Sequence, residues 1–332
     1  MLASVELDEV WLRRASRRAA TVTVYFASWL VALSLAPFAA VALALGAGPA
    51  ARLALFAAVF LSYEMLGLAA ALWLWVRGRA RDEVAHAALR HWWAAGLFRA
   101  AVRLFALELE VSGDEAVEPG PLVVLVRHAS IADTLLPEVV LGGRRGLRLR
   151  YVLKRELLFD PCLDVVGQRL RCAFIRRASG ESERELAAIA ALGRNLGAHE
   201  GALIYPEGTR ATHEKRARAL ERLAASGQTE RLTRARALRH LLPARTSGPL
   251  ALLEAAAPAD ALLFAHTGLE GLATLRDLLS GEVVGRRIQV KLWRTPRSVI
   301  PRERAAAVRW LDDEWARVDA WIDATRAVAA TP

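Results

Sequence analysis

The segment Leu122–Pro137, LVVLVRHASIADTLLP, decides the expected fold and the expected chemistry. It begins with five apolar residues after Pro119-Gly120-Pro121, a pattern typical of a buried β-strand. Polarity changes abruptly at Arg127 and His128, at the end of the strand, where α/β folds place reactive side chains. Asp133 lies five residues after His128. If the chain turns between them, Asp133 holds one imidazole nitrogen and leaves the other free to act as a general base.

A second motif supports a functional role for the pair of His128 and Asp133. A His and an Asp at this spacing also occur together by chance, so the pair alone is weak evidence. A second apolar strand, Ala202–Tyr205, runs directly into Pro206-Glu207-Gly208-Thr209-Arg210. The combination of the two motifs is specific, and it resembles the glycerolipid acyltransferases related to 1-acylglycerol-3-phosphate acyltransferase.

Composition limits the class of protein. The net charge is +10, and all but three of the 45 basic residues are arginines, which suit anionic lipids and phosphorylated substrates. A GC-rich genome gives the same bias. The basic residues are scattered and form no known binding motif, so nucleic acid is not an expected partner. The two cysteines, Cys162 and Cys172, show no metal-ligand spacing, which predicts a reduced cytosolic catalytic domain without a metal site.

Two long apolar runs predict a membrane-anchoring helix hairpin in residues 1–81. Residues 19–51 carry no charge, and residues 53–76 carry only Glu64. Each run exceeds the roughly 20 residues that a helix needs to cross a bilayer. Arginines flank the outer ends of the hairpin, which places both ends in the cytoplasm. The hairpin either crosses the membrane or dips into one leaflet.

Residues 82–106 predict a basic amphipathic helix whose apolar side chains include Trp92, Trp93, Leu97 and Phe98. Such a helix suits a lipid headgroup surface, and packing against the catalytic domain is the alternative.

The remaining chain, residues 107–332, predicts an α/β domain with a mostly parallel sheet flanked by helices. Four predicted strands end at His128, at Lys154, at Arg177 and at residues 207–210. If these strands are parallel neighbours, one base and several phosphate-binding side chains meet at one sheet edge. The basic residues 211–242 predict a helical insert, which is either a solvated helix pair or a surface for the nucleotide-phosphate end of an acyl donor.

The resemblance covers nearly the whole chain and implies roles for individual residues. His128 and Asp133 match the catalytic pair of the family. Other matching positions belong to blocks that bind the acceptor phosphate: Lys154, Arg177, Glu207, Gly208, Thr209 and Arg210. This chain departs from the family at Arg127, where Asn is common. Its insert and residues 242–248 resemble a subgroup that includes lysocardiolipin acyltransferases.

The resemblance also implies an activity. A membrane-bound enzyme would transfer an acyl chain from acyl-CoA or acyl-carrier protein to the free hydroxyl of 1-acyl-sn-glycerol-3-phosphate, giving phosphatidic acid. Remodelling of lysophosphatidylglycerol or lysocardiolipin is the alternative. A hydrolase and a binding protein with an inactive site are the rival classes, and the presence of His128, Asp133 and Arg210 disfavours the second. We expect no cofactor, membrane lipids as partners, and a catalytic domain on the cytoplasmic side of the inner membrane.

Overall fold

Ten α-helices and seven β-strands form in the part of the chain that the structure describes. The structure is a computed structural model, and it describes residues 11–118, 120–130, 132–143, 145–175, 182–272 and 275–329. The helices are α1 (Trp11–Ala44), α2 (Pro49–Val76), α3 (Glu83–Phe105), α4 (Pro161–Gly167), α5 (Glu183–Gly193), α6 (His213–Ala225), α7 (Thr229–Ala237), α8 (Ser247–Ala255), α9 (Leu275–Leu279) and α10 (Arg304–Ala329). The strands are β1 (Glu108–Ser112), β2 (Leu122–Val126), β3 (Arg148–Lys154), β4 (Ala173–Ile175), β5 (Glu200–Ile204), β6 (Asp260–Thr267) and β7 (Arg287–Thr295).

The chain divides into two compact units. The first consists of Met1–Glu108, Glu138–Arg176 and Thr274–Arg287, and the second of Leu109–Pro137, Arg177–Ala273 and Ile288–Pro332. Helices α1, α2 and α3 share the first unit with β3, α4 and β4.

The second unit contains a sheet with the strand order β1-β7-β6-β2-β5. β2 pairs in parallel with β5 on one side and with β6 on the other, and β7 is antiparallel to β6. All five residues of β2 are buried, because neighbouring strands cover its edges and helices cover its faces. In β7, by contrast, buried residues largely alternate with more exposed ones. The predicted α/β fold with mostly parallel strands is confirmed.

Helices α5, α8 and α10 cover this sheet. α5 and α8 pack against each other and against β5, and α10 packs on β6. The apolar face of α10 is buried at Leu311, Trp315, Val318 and Ile322. α5 begins with a capping box, in which Ser182 and Glu185 exchange hydrogen bonds with each other's backbone amides.

In the first unit, polar contacts fasten the apolar hairpin to α3 and α4. Arg17 and Arg18 form ion pairs with the buried Asp164, at 2.7 and 3.1 Å. Glu64 accepts hydrogen bonds from Trp93 Nε1 at 2.8 Å and from the Cys162 amide at 3.1 Å. These contacts explain why the hairpin belongs to the same unit as α4.

Helix α3 packs against protein on more than one side. Its Arg90 pairs with Glu138 at 2.9 Å, and its Leu97 and Phe98 are buried. The lipid-surface position expected for Leu97 and Phe98 is therefore wrong, and the packing alternative holds for them.

Candidate active site

Strand β2 delivers His128 to the carboxyl end of the sheet in the second unit. The chain then turns, and Asp133 in the short 3-10 segment Ala132–Leu135 faces His128. Asp133 Oδ1 lies 3.1 Å from His128 Nδ1. The turn that the sequence required between the two residues is present.

Backbone amides fix Asp133 in this position. Its Oδ2 accepts the N–H groups of Ala129 at 2.6 Å and of Ser130 at 2.7 Å. Burial alone would raise the pKa of Asp133, but hydrogen bonds and charge interactions with His128 and His266 outweigh burial and lower it. An ionised carboxylate at Nδ1 makes Nε2 the basic nitrogen of His128.

Glu207 is buried and binds backbone amides. Its Oε1 accepts the N–H of His128 at 2.8 Å, and its Oε2 accepts the N–H of Leu242 at 3.1 Å. Burial raises the pKa of Glu207 to about 7, although these hydrogen bonds and the charge of Arg127 oppose the rise. Glu207 is only 3% exposed, and its hydrogen bonds hold the backbone of His128 and Leu242 in place.

The other residues of the second motif form a turn beside the dyad. Gly208 has a φ of 69° and donates its N–H to the carbonyl of Tyr205 at 2.9 Å. The ring of Tyr205 lies 4.6 Å from that of His128, centroid to centroid. Thr209 and Arg210 follow and are half-buried. The motif therefore reaches the neighbourhood of His128, as the resemblance implies.

Arg245 lies against the same turn. A Cβ placed on Gly208 would come within 2.7 Å of Arg245 Nε and 3.1 Å of its Cζ. The backbone N–H of Arg245 also donates to the carbonyl of Pro206 at 2.8 Å. The positive φ favours glycine at position 208, and a larger residue there would have to displace the Arg245 side chain.

Arg127 occupies the position where Asn is common in the family, and its side chain is buried and bound by other residues. It is 2% exposed, it forms an ion pair with Glu270, and its Nη1 donates to the carbonyl of His266 at 2.5 Å. Glu270 also accepts hydrogen bonds from the Thr267 hydroxyl at 2.9 Å and the Gly268 amide at 2.8 Å. Burial would raise the pKa of Glu270, but the charge and hydrogen bond of Arg127 lower it to about 2.

His266, near the end of β6, lies between Arg127 and Asp133. Its side chain is completely buried. Its Nε2 lies 3.1 Å from the carbonyl oxygen of Arg127 and 3.5 Å from Asp133 Oδ2. A second imidazole thus stands beside the carboxylate that orients His128.

Two expected phosphate-binding residues are not placed at this site by the structure. Lys154, the last residue of β3, is half-buried and belongs to the first unit. Arg177 lies outside the described residues.

The helical insert uses several arginines to bind protein. Arg231 forms two hydrogen bonds with Asp312 of α10, at 2.7 and 3.0 Å, and Arg234 pairs with Asp313. Arg216 donates to backbone carbonyls, including that of Leu241 at 3.2 Å. These contacts favour a structural role for the three arginines over binding of a donor phosphate.

The sequence motifs did not indicate that His266, Glu270 and Arg245 lie at this site. A usable signal existed for His266, because it closes an apolar run, LLFAH, much as His128 closes LVVLVRH. For Glu270 and Arg245 no local pattern marked the position.

Comparison with known proteins gives a family match and a similar solved structure. Residues 108–243 match the family model described as Acyltransferase, a range that includes His128, Asp133 and Arg210. No curated protein matches the chain. Among solved structures, the chain is similar to the crystal structure of the 1-acyl-sn-glycerophosphate (LPA) acyltransferase, PlsC, from Thermotoga maritima, with 12% identity, a TM-score of 0.47, and coverage of 94% of this chain and 98% of that chain. The family match supports the predicted class, and residues 108–243 of this chain are similar to an acyltransferase domain.

Proposed function

We propose that this protein transfers an acyl chain from acyl-CoA or an acylated carrier protein to the free hydroxyl of 1-acyl-sn-glycerol-3-phosphate, giving phosphatidic acid. The observation that carries the proposal is the contact of 3.1 Å between His128 Nδ1 and Asp133 Oδ1, within a segment that matches an acyltransferase family. This contact leaves Nε2 of His128 to take a proton from an alcohol.

The residues support a direct transfer. Nε2 of His128 accepts the hydroxyl proton while the hydroxyl oxygen attacks the thioester carbonyl carbon. Asp133 stabilises the imidazolium that forms. The tetrahedral intermediate collapses, the C–S bond breaks, and the leaving thiolate takes the proton from His128. General-base assistance of this kind contributes roughly 10²–10⁴-fold to the rate.

The acceptor phosphate is proposed to bind near the turn at Gly208. The guanidinium of Arg210 presents a planar fork that can bind two phosphate oxygens at once. The hydroxyl of Thr209 is a further donor. Lys154 and Arg177 stay in the proposal as phosphate ligands through their resemblance to the family blocks. Fixing the phosphate holds the hydroxyl within reach of His128.

Remodelling of another lysophospholipid, lysophosphatidylglycerol or lysocardiolipin, is the second candidate. The position of Arg245 favours it, because this residue brings a second guanidinium to the turn that precedes Arg210. Two guanidinium groups suit an acceptor with two phosphates, which lysocardiolipin has and lysophosphatidylglycerol does not, so Arg245 favours lysocardiolipin.

We further propose that the hairpin anchors the protein in the cytoplasmic leaflet of the inner membrane. α1 and α2 are the two described helices long and apolar enough to cross a bilayer. α2, however, packs along α3: Arg52 donates to the carbonyl of Leu104, and the rings of Tyr63 and Trp92 lie 4.8 Å apart. A crossing by α2 would take α3 and its arginines into the hydrocarbon core, at about 2.5–3.5 kcal/mol for each charge.

The exposed apolar surface of α1 supports the single-leaflet arrangement. Side chains along the whole helix are exposed and apolar, and they include Val24, Phe26, Leu30, Val31, Leu35, Phe38 and Val41. This surface enters lipid, while α2 lies between α1 and α3.

The test is acyl transfer by the purified enzyme against a panel of lysolipids, with release of thiol and formation of diacyl product both measured. We expect transfer to 1-acyl-sn-glycerol-3-phosphate, its abolition in His128→Ala, and a smaller loss in Asp133→Asn. His240→Ala is a matched control, because His240 forms a similar pair with Asp323, at 3.0 Å, outside the motifs. Thiol release with free fatty acid as the sole product would show a hydrolase. Normal turnover by the His128→Ala enzyme would exclude the mechanism.

A further inference from the structure

We infer that His266 is a positioning residue of the active site, which lies against the Asp133 carboxylate and thereby influences the basicity of His128. The inference rests on the proposed function. It adds a role for a residue that lies outside both sequence motifs, on a different strand from His128.

The geometry places Asp133 between two imidazoles. Oδ1 faces His128 Nδ1 at 3.1 Å, and Oδ2 faces His266 Nε2 at 3.5 Å. Nε2 of His266 also lies 3.1 Å from the carbonyl oxygen of Arg127. Because both neighbours of this nitrogen are acceptors, Nε2 carries a hydrogen and donates. The N–H is shared between the residue before His128 and the carboxylate that orients His128.

The position of His266 is tightly fixed. β2 and β6 pair in parallel, with Val126 opposite Phe264, and the Arg127 amide continues the pairing by donating to the Phe264 carbonyl at 3.1 Å. Arg127 Nη1 donates to the His266 carbonyl while His266 Nε2 donates to the Arg127 carbonyl, so the two residues bind each other reciprocally. Because these bonds fix the imidazole, its N–H can orient the nearby Asp133 carboxylate.

The other ring nitrogen indicates that packing alone does not explain the residue. His266 Nδ1 is buried and has no hydrogen-bond partner among the residues described. A buried polar atom without a partner is costly, and a leucine or phenylalanine would fill the same space without that cost. The imidazole is therefore explained by what its Nε2 does.

The charges around His266 define the expected effect. The charged groups nearest to His266 are Asp133, Arg127 and Glu270. His128 and Glu207 interact with Asp133 in turn. The N–H of Nε2, 3.5 Å from Oδ2, stabilises the negative charge of Asp133. Without it, the carboxylate attracts a proton on His128 more strongly, and His128 stays protonated to a higher pH. Only the unprotonated imidazole can act as the base.

The test compares His266→Gln with His266→Asn in purified full-length enzyme, using kcat/KM for the lysolipid as a function of pH. The amide nitrogen of Gln can occupy the position of Nε2, whereas that of Asn overlays Nδ1 and does not reach Asp133. We expect the Gln variant to retain the wild-type profile. The Asn variant should move the acid limb to higher pH by roughly half a unit or more, and lower kcat roughly tenfold, with little change in either KM.

Glu270→Gln supplies an opposite prediction. It leaves the Arg127 charge uncompensated near His128, which disfavours the imidazolium and moves the acid limb to lower pH. If the Asn and Gln variants of His266 share the wild-type pH profile, the inference is overturned while the proposed function stands. If wild-type enzyme and the His128→Ala variant transfer acyl chains equally, the proposed function itself fails.

Discussion

At the scale of single residues, Arg210 gives the most direct test of the acceptor site. Arg210→Lys keeps the charge but loses the planar two-point contact. Losing one charge-assisted hydrogen bond of ~1.5–3 kcal/mol predicts roughly a 10–150-fold loss in kcat/KM for the lysolipid. The KM of the acyl donor should change little, because the thioester binds elsewhere. Steady-state kinetics with each substrate varied in turn measures both effects.

Arg218→Lys is the matched control for this experiment. Arg218 lies on the exposed face of α6 and pairs with Glu214, so its replacement should leave both substrates unaffected. A structural role for Arg210 predicts something different. In that case Arg210→Lys would lower the thermal stability and weaken donor and acceptor alike.

Glu270 predicts a pH dependence of stability. Its pKa is lowered from 4.5 to about 2, so the ionised form stabilises the fold above pH 4.5, and this stabilisation is lost as the pH falls towards 2. The difference corresponds to roughly 3 kcal/mol. In Glu270→Gln, the free energy of unfolding should be lower at pH 5, and it should fall less than that of the wild type between pH 5 and pH 3. Chemical denaturation at the two pH values measures this, and parallel losses in both proteins would contradict the assignment.

The residues of the site differ in how far sequence could predict them. His128 and Asp133 are five positions apart, so one local turn brings them together, and the spacing was sufficient. Arg127 and His266 lie 139 positions apart and meet only because β2 pairs with β6. The pairing of those two strands depends on tertiary structure, and it cannot be predicted from the pattern of either strand alone.

At the scale of elements, burial determines which predictions were correct. β2 was predicted because a strand covered on both faces needs an unbroken apolar run. The helices of the hairpin followed from length and hydropathy. The expected lipid-facing position of Leu97 and Phe98 was wrong, because amphipathicity marks a helix face that is buried but does not say whether lipid or protein buries it.

The insert offers a prediction at this scale. Arg231 and Asp312 join α7 to α10, and both side chains are largely buried. Asp312→Ala should lower the free energy of unfolding by about 1–3 kcal/mol, because it leaves a partly buried guanidinium without its carboxylate. It should also speed tryptic cleavage after Arg231, Arg234 and Arg236 in α7. Glu214→Ala breaks the exposed pair on α6 and should do neither, so equal effects of the two substitutions would count against the role of this ion pair.

At the scale of the whole molecule, the membrane arrangement can be tested by labelling. Cys162 and Cys172 are buried, so a cysteine introduced at Ala47, in the exposed turn between α1 and α2, is the reactive one. A single-leaflet hairpin predicts that an impermeant maleimide labels Ala47→Cys only after the cells are permeabilised. Ser226→Cys, in the catalytic domain, should behave in the same way. Labelling of Ala47→Cys in intact cells would establish a hairpin that crosses the membrane.

The buried Glu64 has a consequence for biosynthesis. Its partners, Trp93 and the Cys162 amide, lie 29 and 98 positions further along the chain. While the ribosome has released only the first two helices, this carboxyl has neither partner, and an apolar phase is a poor environment for it. The anchor is therefore completed late, when α3 and α4 have been translated and have docked. Residues 1–81 alone, fused to another protein, would lack the groups that make their second helix compatible with a membrane.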